Sequence, residues 1–143
     1  MDYKQYAKDL LHRKKNLVSA YSAIRAELDS LEKEKTACKT SAVNSSGEEA
    51  EIYSSRLINT ITNIEDCRMR RSVVERELMM IERGMSGLSD YQKDLLEYFF
   101  IERVHNAAEG IMGRYYKERS AVYRDRNKAL EEFTRSVYGV LQL

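Results

Sequence analysis

The chain has 143 residues, 43% hydrophobic and 33% charged, with a mean hydropathy of -0.60. Lys and Arg number 24 against 23 Asp and Glu, so the formal net charge is +1, which excludes both a globally basic nucleic-acid binder and an acidic tail protein. Proline is absent and glycine occurs only 6 times. Little therefore interrupts long helices, and the even spread of Leu, Ile, Val and Tyr argues against disorder.

The N-terminal MDYKQYAKDLLHRKK is charged from its second residue and lacks an apolar h-region, so no signal peptide is expected. From there Tyr3, Leu10, Leu17, Ile24, Leu31 and Cys38 recur at a strict seven-residue spacing. Ala7, Tyr21 and Leu28 form a second row, interrupted by Lys14. This predicts a long helix with a narrow apolar stripe, more coiled-coil seam than globular core. Thr, Ser, Asn and Gly cluster over residues 36–48 and predict a loop. It ends in Ser46-Gly47-Glu48-Glu49, the spacing of a capping box. A second long helix is expected beyond it, carrying Leu57, Ile61, Ile64, Cys67, Val74, Leu78 and Ile81 on one side. Two such helices joined by a polar loop fold back as an antiparallel hairpin. Tyr6, Leu11, Val18, Ile58 and Val73 should remain at its half-covered edges.

Gly84-Met85-Ser86-Gly87 predicts a helix end, a hinge and a domain boundary. Beyond it the heptad disappears. Ser89 with Gln92 suggests a capping box opening a helix to about Ile101, and Asn106 with Glu109 one opening a helix to about Tyr115. A last helix is expected from about Arg119 to Val140. No segment alternates as a strand would. The expected fold is all-α: a long antiparallel helical hairpin (coiled coil) over residues 1–84, then a small trihelical helix-turn-helix domain over 88–143.

No Gly-rich phosphate loop, nucleophile constellation or distinctive carboxylate pair is present, so no catalysis and no cofactor are expected. Cys38, Cys67, His12 and His105 provide neither a disulfide framework nor zinc-ligand spacing, so no metal is expected. No apolar stretch is long enough to span a bilayer, and the expectation is a soluble cytoplasmic protein with no membrane partner.

The informative stretch is Asn106–Leu130. Ile111 and Tyr115 would face inward from one helix, and Val122, Ala129 and Leu130 from the next. Between Lys117 and Lys128 the basic residues Lys117, Arg119, Arg124, Arg126 and Lys128 outnumber the acidic Glu118 and Asp125. Residues 88–143 as a whole are balanced, so the positive charge is concentrated on one helix. Arg and Lys neutralise phosphates, while Arg, Asn and Ser offer donors and acceptors to base edges. Arg119, Ser120, Tyr123, Arg124 and Asn127 would face bases or flanking phosphates. Lys117, Arg126 and Lys128 would position the backbone.

The string EGIMGRYYKERSAVYRDRNKAL (Glu109–Leu130) resembles the helix-turn-helix of region four of bacterial sigma factors. The resemblance rests on Glu109, Ile111, Arg119, Ser120, Val122, Tyr123, Arg124, Arg126, Asn127, Ala129 and Leu130. Tyr116 stands where the pattern has its turn glycine, and Glu118 stands where it has a capping serine, so a strained or longer turn is expected. With a coiled-coil N-terminus and the closing ALEEFTRSVYG, the chain also resembles phage transcriptional regulators of the ArpU and RinA type. That resemblance implies sequence-specific binding to double-stranded DNA in the control of late, packaging or lysis genes. Residues 1–84 would then make a homodimer or dock on RNA polymerase. The alternative expectation is a helical adaptor or structural protein whose C-terminal domain binds a protein partner rather than DNA.

Overall fold

The computed structural model describes residues 1–143. It is all-helical: α1 (Tyr3–His12), α2 (Lys14–Asn44), α3 (Glu48–Ser86), α4 (Asp90–Leu96), a π-helical turn (Glu97–Ile101), α5 (Ala107–Tyr115) and α6 (Arg119–Tyr138). None of these helices is long and apolar enough to cross a membrane. Two compact units divide the chain, one made of Met1–Leu17 with Glu77–Leu143 and the other of Val18–Arg76.

The Val18–Arg76 unit is the helical hairpin. The heptad rows meet the second stripe as expected: Ile24, Leu28, Ile64 and Cys67 form its core, and Leu31 and Val74 pack against them. The Cys67 Sγ donates to the Ile24 carbonyl at 3.5 Å. Arg68 pairs with Glu32 at 2.9 Å, and Arg70 with Glu27 at 3.1 Å. These pairs are solvated and contribute little beside the apolar seam. Val18, Ile58 and Val73 remain exposed, as their edge positions predict.

The loop expected over 36–48 is mostly helix, since α2 runs to Asn44. The Thr36 and Thr40 hydroxyls donate to the carbonyls of Glu32 and Thr36, both at 3.1 Å. Such back-bonding meets the hydroxyls' needs inside a helix, so a Thr-rich segment need not break one. Cys38, one heptad beyond Leu31, stays buried. Only Ser45–Gly47 turns the chain, with Gly47 at φ +66°. Ser46 and Glu49 do not form the expected capping box. The Gly47 carbonyl instead accepts from the Glu51 amide at 3.2 Å, and Glu48, Glu49 and Glu51 place negative charge at the positive helix end.

The other unit corrects the expected domain boundary. Residues 1–17 do not belong with the hairpin. Helix α1 packs on α6 and on the π turn, burying Ala7, Leu10 and Leu11. Leu11, expected at a half-covered edge, is fully buried. Tyr3 meets Tyr138 with ring centroids 5.4 Å apart, and Lys4 pairs with Glu131 at 2.8 Å. The helix expected to be continuous tightens at Arg13, whose amide bonds to both the Asp9 and Leu10 carbonyls at 3.2 Å. A heptad stripe specifies that a face is buried but not against what, so the first two turns of the stripe serve a different core from the rest.

Helix α3 ends at Ser86, inside the expected Gly84–Gly87 stretch, but Gly84 itself serves close packing. It lies inside α3, where a Cβ would come within 2.4 Å of the Phe133 ring and 2.6 Å of Val137. Its missing side chain is what lets α3 and α6 approach. Beside it, Arg83 donates to the Val137 carbonyl at 2.7 Å.

Helix α4 opens with the expected capping box: the Ser89 hydroxyl accepts from the Gln92 amide at 3.2 Å and the Gln92 side chain accepts from the Ser89 amide at 3.0 Å. The expected run to Ile101 gives way at Glu97 to the π turn, closed by the Glu102 amide on the Glu97 carbonyl at 2.7 Å. Five-residue hydrogen bonding brings positions i and i+5 onto one face. That is how Leu95 with Leu96 and Phe100 with Ile101 are all buried. The Asn106–Glu109 box is absent. Asn106 takes a left-handed conformation, φ +55°, and its side chain caps nothing.

Candidate nucleic-acid interface

The helix-turn-helix segment consists of α5, a three-residue turn and α6. Its core is Leu95, Ala108, Ile111 and Val122, packed against Tyr91, Tyr98, Phe99, Met112 and Tyr115. The inward residues named from the sequence are placed as expected: Ile111, Val122, Ala129 and Leu130 are buried and Tyr115 is half-buried.

The turn keeps the shape of a glycine turn without the glycine. Tyr116 adopts φ +55° and is 94% exposed. A left-handed non-glycine residue is uncommon. Here its side chain projects into solvent and meets no packing obstacle. The turn is therefore not lengthened. Glu118 follows in extended geometry, and its carbonyl accepts the Val122 amide at 3.0 Å, while its side chain makes no cap bond.

Side-chain contacts hold both α5 and α6 against α4. The Tyr91 hydroxyl donates to Asp125 at 2.8 Å, and the Tyr91 and Tyr115 rings lie 4.8 Å apart. Burial, then the bond to Asp125 and its charge, push the Tyr91 phenol up to about 12. Tyr115 donates to Asp94, which also pairs with Arg114 at 3.3 Å. Asp125 is thus turned toward α4 and away from the outer face of α6, leaving that face more basic than the bare sequence.

The outer face carries Arg119, Ser120, Tyr123, Arg124, Asn127 and Lys128, all exposed. Arg119 is tied to Glu109 of α5, and that hydrogen bond holds the Glu109 carboxyl below its ordinary pKa. Arg124 has only Asp125 near it, at 3.7 Å, a carboxylate already engaged by Tyr91. Lys117 lies just before the helix, its Nζ 5.4 Å from the Tyr91 ring centroid. Arg126 is set apart from the others. It is half-buried, its guanidinium 5.0, 5.1 and 5.9 Å from the ring centroids of Tyr123, Phe99 and Phe100. It also donates to the Asn127 side-chain oxygen at 2.9 Å, which leaves the Asn127 amide N–H groups free. So seven of the eight residues singled out are exposed, with Ser120, Tyr123, Arg124 and Asn127 along one face of α6, while Arg126 is half-buried against the π turn.

Sequence reasoning missed that π turn and α1 frame this surface. The pair Phe99-Phe100 was the available signal, since two adjacent aromatics that are both at least half-buried do not fit a regular amphipathic helix.

Comparison with protein-family models, curated proteins and solved structures finds no match to this chain.

Proposed function

We propose that the chain is a sequence-specific binder of double-stranded DNA that acts in transcription control, with α6 as the helix that enters the major groove. The observation that supports this reading most is the outer face of α6. It is an exposed row of Arg, Ser, Tyr, Asn and Lys on a helix held by a short left-handed turn, with the Asp125 carboxylate turned toward α4. A major groove about 12 Å wide admits such a helix. The resemblance to phage regulators of late, packaging or lysis genes agrees with this assignment, and no catalytic step is part of it.

The residues should divide by role. Arg124→Ala removes a donor fork suited to guanine and is expected to cost about 1–3 kcal/mol of binding while relaxing preference at one base position. Lys128→Ala should weaken binding to all sequences alike and make the log–log salt slope shallower by about one unit. A titration against a selected and a scrambled duplex at two salt concentrations checks both. Equal affinity of the wild type for the two duplexes would transfer the assignment to a helical adaptor binding protein.

The hairpin unit fits a second copy of the chain. Ile58, Met69 and Val73 are 64, 71 and 65% exposed. Thr62, Glu65 and Arg76 lie on the same face of α3, at intervals of three and four residues. Antiparallel pairing of this face with its copy brings Met69 to Val73 and Glu65 to Arg76 twice over, as a two-fold interface requires. Sedimentation should show a dimer at micromolar concentration that Met69→Glu with Val73→Glu dissociates. A monomeric wild type would instead leave this face to RNA polymerase or another regulator.

A further inference from the structure

The recognition face of α6 does not end at Asn127. Along one edge it passes through Arg126 onto the aromatic platform of the π turn, and across that platform it reaches α1. The Arg126 guanidinium lies 5.9 Å from the Phe100 ring centroid, and the His12 ring lies 6.1 Å from the same centroid. Around His12 stand Lys8, one turn earlier on α1, and Arg103, in the loop that follows the π turn. Both act on the His12 imidazole, which is held below its ordinary pKa by burial first, then by Arg103, with Lys8 adding to the effect and Asp9 opposing it.

The cations here differ in how far they are already engaged. Lys15 pairs with Glu102, so its charge is largely answered. Asp9 accepts a bond from the Gln5 side chain at 3.0 Å. Lys8, Arg103 and Arg126 have no carboxylate partner; their ion-pairing capacity is unspent. Arg103 is exposed, and it sits at φ +50°, a conformation that turns the chain sharply before α5.

We propose that Lys8 and Arg103, with Arg126, form a second phosphate-contact surface that takes one DNA strand beside the groove occupied by α6. This inference rests on the reading of α6 as the groove-entering helix and adds residues from α1 and the π-turn loop to it. Arg126 and His12 lie 5.9 and 6.1 Å from the Phe100 ring centroid, so the cations around His12 stand beside the flank of α6, and a helix lying in the major groove has phosphates along both of its flanks. Contacts of this kind position the protein and carry no base information.

The test uses the full chain with Lys8→Gln, Arg103→Gln and, as a control on the hairpin unit, Lys33→Gln. Each is titrated over a salt series against a duplex selected by the wild type from a random pool and against a scrambled duplex. Lys8→Gln and Arg103→Gln should each make the log–log salt slope shallower by about one unit, with the ratio of affinities for the two duplexes unchanged. Lys33→Gln should leave the slope as it is. A wild type that binds and discriminates, with slopes unaltered in Lys8→Gln and Arg103→Gln, overturns this inference alone. Equal slope losses in all three variants also overturn it, because they show a diffuse charge effect. No duplex binding by the wild type overturns the DNA reading and this surface together. Far-ultraviolet circular dichroism of each variant separates a lost contact from a lost fold.

Discussion

Residues 88–143, expressed alone, are expected to lack a cooperative unfolding transition, although they contain the whole helix-turn-helix. The segment that looks independent in the sequence shares its core with two others. Leu10 and Leu11 of α1 cover α6 on one side, and the Gly84 turn of α3 receives Phe133 and Val137 on the other. Each of those four side chains is nearly or fully buried. At about 1.5–3 kcal/mol for each fully buried large apolar side chain, their burial is worth roughly 6–12 kcal/mol, which rivals a whole domain's stability of about 5–15 kcal/mol. The isolated fragment should show residual helix by circular dichroism, bind a hydrophobic dye and melt without a sigmoid. A sharp melt close to that of the full chain would show that α1 and the end of α3 are dispensable.

Val122→Asp should abolish duplex binding by unfolding the same unit rather than by removing a contact. Val122 is fully buried between Leu95, Ala108 and Ile111. An aspartate there has no partner and must stay protonated to remain inside. Keeping a carboxyl of ordinary pKa about 3.9 neutral at pH 7 costs about 4 kcal/mol, and the lost burial of the valine adds about 2 kcal/mol. The sign of the pH dependence follows. The folded state raises this carboxyl's pKa, so it holds more protons than the unfolded state, and the variant loses stability as pH rises above about 4. Relative to wild type, Val122→Asp should therefore recover stability near pH 4, whereas Val122→Ala should show a loss of about 2 kcal/mol that does not vary with pH. A pH-independent deficit in Val122→Asp would mean that the carboxyl reaches water and that the core differs from the packing described here.

The all-helical class, the hairpin seam and the buried face of the helix-turn-helix were legible because burial imposes a period that survives in the residues. Ile24, Leu28, Ile64 and Val122 could be named as interior from spacing alone. What spacing does not encode is the partner. The row Tyr3, Leu10, Leu17 reads as one stripe with Ile24 and Leu31, yet its first members pack on α6. Gly84 has the look of punctuation, and only the position of the Phe133 ring shows that its role is close approach. The Thr-rich end of α2 looked like a loop because hydroxyl back-bonding inside a helix leaves no mark in composition. On the candidate interface, the outward residues of α6 followed from helical geometry. Lys8 and Arg103 did not, since they reach that edge through a π turn and a left-handed residue, neither of which has a reliable signature in the chain.

The packing of α1 on α6 also sets an order of events. More than a hundred residues separate Leu11 from Leu130 and Phe133, so α1 emerges from the ribosome long before the surface it covers exists. The Val18–Arg76 hairpin needs only its own short turn to close and can form while the rest is being made. Helix α1 meanwhile holds Ala7, Leu10 and Leu11 open to water. Contacts of such wide sequence separation form late and slowly, and an apolar face left waiting invites misassociation. The unit that contains α1 and α6 should then be the last part of the molecule to pack, completed only after α6 is released.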